Sequence, residues 1–115
     1  MVEKPLGWLG SSLDDVRAFP DEVKRAAGYQ LGRVQQGLMP DDWKPMPTVG
    51  SGVYEIRIHT GREHRLFYVA KYAEAIYVIH AFEKRTHTTR EADITVARQR
   101  LADFLRLRGR GKEPK

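Results

Sequence analysis

Three stretches decide the fold: Gly52-Val-Tyr-Glu-Ile-Arg-Ile-His59, Glu63-His-Arg-Leu-Phe-Tyr68 and Ile76-Tyr-Val-Ile-His-Ala-Phe-Glu-Lys-Arg-Thr86. Each is rich in β-branched and aromatic residues and alternates in polarity, the pattern of a strand. Short links around Gly61 and Glu74 join them, so neighbours are expected to run antiparallel. In the first strand Tyr54, Ile56 and Ile58 share one face, and Glu55, Arg57 and His59 share the other, which is expected to be exposed. In the third, Ile76, Val78, His80 and Phe82 alternate with Tyr77, Ile79 and Ala81. Both faces are apolar there, which predicts a central strand.

Working outward, Lys4 to Leu9 reads as an edge strand. Ser12 is suited to cap a short helix carrying Leu13, Val16 and Phe19, and Phe19-Pro20 breaks it. Val23, Ala27, Leu31, Val34 and Leu38 then form one apolar helical stripe, which Gly37 is placed to stop. Met39 to Gly52 reads as a loop pinned by Trp43 and Met46. Thr88-x-x-Glu91 is a capping box for a last helix ending near Arg108. Its inward residues are expected to be Ile94, Ala97, Leu101, Phe104 and Leu105, with Arg98, Arg100, Arg106 and Arg108 outside. The order β-α-α-β-β-β-α is an α+β domain: an antiparallel sheet carrying a helix pair, plus a C-terminal helix. Residues 1–108 form the domain, and 109–115 a flexible basic tail.

The 115 residues suffice for one domain with one modest core. No cysteine is present, which excludes a disulfide scaffold, a zinc–thiolate site and a cysteine nucleophile. No apolar run approaches a membrane span, and the N-terminus lacks the long apolar stretch of a signal peptide, so a cytoplasmic protein with no membrane partner is expected. Residues 1–57 hold seven Lys/Arg and eight Asp/Glu, whereas residues 58–115 hold thirteen and seven. The net charge of +5 thus sits in the second half, which suits a polyanion such as RNA as well as simple solubility.

The candidate chemistry lies on the strands. Arg57, Arg65, Lys84 and Arg85 are cations on a rigid sheet or at its end, able to hold a phosphodiester and stabilise charge building on it. Ion pairing with Glu55, Glu63 or Glu83 is the competing role for these cations. RNA supplies its own nucleophile, the 2′-hydroxyl, so such a site calls for no metal and no cofactor. It does need proton transfer, for which His87, His59 and His64 are candidates. His80, between Val78 and Phe82, reads as a hydrogen-bonded core histidine. Tyr68 and Tyr54 are candidates for stacking a base or donating a proton, although cross-strand packing is the reading preferred for both. No Walker loop, dinucleotide-binding glycine pattern or nucleophile elbow occurs.

Lys4-Pro-Leu-Gly-Trp-Leu-Gly-Ser-Ser12, the Phe19-Pro20 break, the Gly-Val-Tyr-Glu-Ile-Arg strand, Arg65-Leu-Phe-Tyr68 and His80-Ala-Phe-Glu-Lys-Arg-Thr86 together resemble the RelE/HigB toxin superfamily, in its phage-derived HigB-like branch. The resemblance spans about residues 4–108. It implies the toxin of a type II toxin–antitoxin pair: a ribosome-dependent endoribonuclease, or mRNA interferase, that cuts mRNA in the ribosomal A site. The partners implied are the ribosome, mRNA and a cognate helix-turn-helix antitoxin. By position, Arg65 and Arg85 would be catalytic, with Arg57, Lys84 and Tyr68 binding RNA. His87 is assigned proton transfer from its place beside Lys84-Arg85. Glu55 departs from RelE, which has a second lysine there, and RelE's C-terminal tyrosine has no counterpart in Arg90-Glu-Ala-Asp93. A non-catalytic RNA- or partner-binding module, and a phage structural or DNA-packaging accessory, are the competing functions.

Overall fold

The computed structural model describes residues 3–85 and 91–112, with side chains described through Gly109. The elements are β1 (Leu6–Trp8), α1 (Ser12–Arg17), α2 (Asp21–Gln35), β2 (Trp43–Pro45), β3 (Val53–Thr60), β4 (Arg62–Val69), β5 (Ile76–Lys84) and α3 (Glu91–Lys112). They form one five-stranded sheet in the order β1-β5-β4-β3-β2. The α+β architecture expected from the sequence is present, with two differences in the sheet. A short strand, β2, occupies the expected loop and pairs antiparallel with β3. β1 is an edge strand, but it runs parallel to β5, while β3, β4 and β5 form the expected antiparallel meander. Among the described residues no helix is long and apolar enough to cross a membrane.

The sheet is covered on both faces. On one, Val16 of α1 and Val23, Ala27, Leu31 and Val34 of α2 pack on Ile56, Ile58, Leu66, Tyr68, Ile76, Val78 and Ala81. The α2 stripe is the predicted one, except that Leu38 falls beyond the helix end and is exposed. The helix closes before Gly37, whose φ of 86° is the left-handed conformation that glycine adopts without strain. Each large aliphatic side chain buried here contributes about 1.5–3 kcal/mol. On the other face, Ala97 and Leu101 of α3, with Met46 and Val49, pack on Val53, Phe67, Val69, Ile79 and Phe82.

The alternation expected for β5 does not hold along its length. Phe67 is opposite His80, yet the next residue, Tyr68, is opposite Val78. Ile79 is therefore an extra residue, a β-bulge, which shifts the side-chain phase. Val78 and Ala81 pack against the helix pair, whereas Ile79 and Phe82 pack toward α3. His80 consequently leaves the Ile76–Val78 face and joins Ile79 and Phe82.

Two helix expectations also change. Ser12 does not cap α1: it is the first helical residue, it is buried, and its Oγ donates to the Val78 carbonyl at 3.0 Å. Helix α3 continues past Arg108 to Lys112, and its residue Leu105 is exposed. Thr88, the proposed cap, lies outside the described residues.

Candidate functional site: a cationic sheet face framed by carboxylates

Strand register puts Arg57 of β3 directly opposite Arg65 of β4, and Arg65 opposite Phe82 of β5. Glu63 stands opposite both His59 and Lys84. Two facing arginines on adjacent strands repel each other, and here carboxylates frame them. Glu55, two residues before Arg57, was expected on an exposed face but is fully buried. The expectation failed because α3 and the Met46–Val49 segment cover the far side of the sheet, so a polar alternation there does not mean solvent. Glu55 Oε1 accepts from Arg57 Nε at 3.2 Å and lies 3.8 Å from Arg65 Nε.

The Arg65 side chain is only 5% exposed. One terminal nitrogen donates to the His64 carbonyl at 3.1 Å and lies 2.9 Å from Glu63 Oε1. Its Nε is buried without a hydrogen-bond partner among the described residues. Arg57 is about one-third exposed and reaches the surface. The arrangement holds two guanidinium groups at fixed positions, with one N–H unspent.

The same network extends to the hairpin tip, where Gly61 turns the chain with φ 85° between paired Thr60 and Arg62. Exposed His59 sits on the Arg57 face, with Nδ1 2.7 Å from Glu63 Oε2 and Nε2 2.5 Å from Asp42 Oδ2. An imidazolium donates to both at once. The hydrogen bond to Asp42, then that to Glu63, holds the His59 pKa above its ordinary value. The bond from His59, then that from Arg65, holds Glu63 below its own.

The candidates are not all brought together. Arg57, Arg65 and, by register, Lys84 share one face. Arg85, at the exposed end of β5, has Nε 3.7 Å from Glu83 Oε2. Glu83 also approaches Arg62 at 3.6 Å and stands opposite His64, on the other side of the sheet. His87 lies outside the described residues. Tyr68 is corrected: it is 1% exposed and belongs to the core against the helix pair, behind the sheet from Arg65. Burial raises its pKa, and neighbouring Tyr54 adds to this. His64 is likewise buried, edge-on to Phe19 with ring centroids 4.6 Å apart, and is remote from the cationic face.

His80 is a hydrogen-bonded core histidine. Its Nε2 lies 2.7 Å from Asp93 Oδ1, and its Nδ1 faces an Arg100 nitrogen at 3.3 Å. Accepting from a guanidinium assigns the Nε2–H tautomer. Arg100, expected on the outside of α3, instead turns inward. It donates to the Ile79 carbonyl at 3.0 Å and to Ser11 Oγ at 2.7 Å, and approaches Asp15 at 3.6 Å. The network clips α3 to β5 and α1. Sequence reading named Glu55 as a partner of the arginines but put it on an exposed face, and it missed Asp42 as a partner of His59 and Arg100 as an inward-turned cation, since neither carries a local signal of its distant partners. Among the described residues, no group of three or more His, Asp or Glu side chains is arranged to hold a metal ion.

No curated protein matches the chain. The sequence profile of a phage-derived family matches residues 14–102, which include β2 to β5 and much of α3. With well over half of the chain inside that match, the protein belongs to the family described as phage derived protein Gp49-like (DUF891).

Proposed function

We propose that the protein is the toxin of a type II toxin–antitoxin pair and an endoribonuclease that cuts mRNA on the ribosome. Membership of a phage-derived, RelE-like toxin family supports a toxin-type module. The observation that carries the chemistry is the facing Arg57–Arg65 pair, held by buried Glu55, with Arg57 reaching the surface. In the reaction, the 2′-hydroxyl loses its proton and its oxygen attacks the adjacent phosphorus. The 5′-oxygen leaves with a proton, giving a 2′,3′-cyclic phosphate and a 5′-hydroxyl end. Arg57 and Arg65 stabilise the extra negative charge on the phosphoryl oxygens, and Lys84 holds a neighbouring phosphate. Arg85 extends the cationic surface beyond the end of β5. Proton transfer falls to His87 from its place in the sequence, and to His59 from its place on the Arg57 face. The partners are a helix-turn-helix antitoxin, mRNA and the ribosome.

A second reading, a non-catalytic RNA- or partner-binding module, is favoured by one observation: Glu55 and Glu63 already sit on the two arginines. Mapping mRNA 5′ ends after brief induction decides between them. Codon-phased cuts in translated messages are expected, and growth arrest without new ends would overturn the nuclease reading.

A further inference from the structure

On the helix side of the sheet, away from Arg57 and Arg65, a cavity of about 320 Å³ opens between the end of α2 and strands β3 to β5. Its walls are largely apolar and include Val34, Leu38, Met39 and Ile76. Two polar groups are fixed in it. Lys4 is anchored through its backbone: its N–H donates to the Gln35 carbonyl at 3.2 Å, and its carbonyl accepts from Gln35 Nε2 at 2.8 Å. Its ammonium donates to the Ala70 and Tyr72 carbonyls, both at 2.8 Å. An ammonium has three N–H donors, so one remains, and no carboxylate among the described residues pairs with this charge. Tyr68, 1% exposed, also lines the cavity, its ring beside that of Tyr54 with centroids 5.8 Å apart.

A partly buried cation with one N–H to spare in a largely apolar wall is costly alone and complementary to a carboxylate. The cavity mouth carries further exposed apolar surface. Leu38 is 47% exposed and Met39 38%, and Trp43 leans edge-on against Tyr54, another wall residue. Beyond Tyr54 the sheet ends in β2, its outer strand. An apolar apron around a cationic pocket fits a chain of side chains better than a small free acid.

We propose that this cavity docks a partner polypeptide through an acidic side chain flanked by apolar ones. The carboxylate accepts a hydrogen bond from the third Lys4 N–H, and the flanking residues cover Leu38, Met39 and Trp43. The surface lies on the opposite side of the sheet from the cationic face, so a partner can be held with that face open. The proposal goes beyond the nuclease reading and does not depend on it.

The test titrates the ¹⁵N-labelled full chain with the blocked peptide acetyl-Leu-Glu-Leu-Leu-amide and its Gln counterpart, followed by NMR. The Glu peptide is expected to shift the resonances of Leu38, Met39, Tyr54 and Tyr68, and to bind about tenfold more tightly than the Gln peptide, as one charge-assisted hydrogen bond implies. Lys4→Met should erase that preference. Leu38→Glu, at an exposed position that leaves the fold intact, should weaken the Glu peptide more than the Gln peptide. Equal binding of the two peptides, shifts elsewhere or no shifts would overturn the proposal. So would octanoate binding as tightly as the peptide, which would assign the pocket to a free acid. Concentration-dependent shifts of the same residues without peptide would assign it to a second copy, with the same consequence.

Discussion

Arg57 and Arg65 face each other across neighbouring strands, and the carboxylate of Glu55 lies 3.2 Å from one and 3.8 Å from the other. Two like charges in adjacent positions oppose sheet formation, and a buried acid between them removes most of that opposition. The pair is therefore a property of the fold before it is a property of any substrate.

Removing that acid has a stated cost. Glu55→Ala leaves buried Arg65 with Glu63 as its remaining carboxylate and takes the acceptor from Arg57, a change worth about 1–3 kcal/mol of stability. Urea denaturation should show the midpoint falling with the slope unchanged. Glu55→Gln, which keeps an acceptor oxygen, should lose clearly less.

Arg65 and Arg85 separate the cationic face from the strand end. Arg65→Ala should abolish growth arrest on induction, and Arg65→Lys should fail to restore it, because a point charge cannot reproduce the fork. Arg85 is highly exposed, so Arg85→Ala should change stability by less than about 0.5 kcal/mol. Any loss of arrest in that variant would then be functional. Full arrest with folded Arg85→Ala would remove Arg85 from the proposed site.

The hairpin tip should respond to pH in two directions. His59 has its pKa raised by Asp42 and Glu63, so the stability it contributes is complete below the unfolded value of about 6.5 and is lost as pH rises through the folded value. Glu63 has its pKa lowered, so its contribution is present above about 4.5 and is lost as pH falls through the folded value. The melting temperature should fall toward acid and again above neutrality, and His59→Asn should flatten the upper limb and shrink the lower one, because the His59 bond is the first cause of the lowered Glu63 pKa. A chemical-shift titration placing His59 at or below an ordinary histidine pKa would contradict the assignment.

His80 ties β5 to α3. Replacing it with Phe leaves Asp93 and Arg100 without their shared partner, at a cost of about 1–3 kcal/mol. Amide exchange should accelerate in α3 more than in α2. Uniform acceleration would show that the network is not a local clip.

What could be read from the residues was what depends on local alternation and spacing. Tyr54, Ile56 and Ile58 share a face because of strand period, and Val23 to Val34 form a stripe because of helix period. Even the error at Tyr68 was avoidable: it lies three residues from Arg65 in an unbroken strand and must point the other way. The rest depends on partners distant in sequence. Glu55 has the pattern of a solvated residue, and α3 and the Met46–Val49 segment are what bury its side of the sheet. Arg100 looks like an outer-face cation until Ser11 and Asp15 are brought beside it. Trp43–Pro45 is too short and too proline-bound to announce a strand, and the parallel seat of β1 depends on two intervening helices.

The bulge at Ile79 gives β5 two reading phases. Before it, even-numbered positions belong to the helix pair; after it, odd-numbered ones do. Deleting this one residue would remove the bulge and leave the faces alone: Val78, His80, Ala81 and Phe82 would alternate regularly opposite Tyr68, Phe67, Leu66 and Arg65. His80 would keep its place beside Asp93 and Arg100, and the loss would be the packing of Ile79 against α3. Single-residue deletion at position 79 should therefore cost about as much as truncating that side chain, because this is the one point of the strand where the chain carries a residue that the ladder does not count.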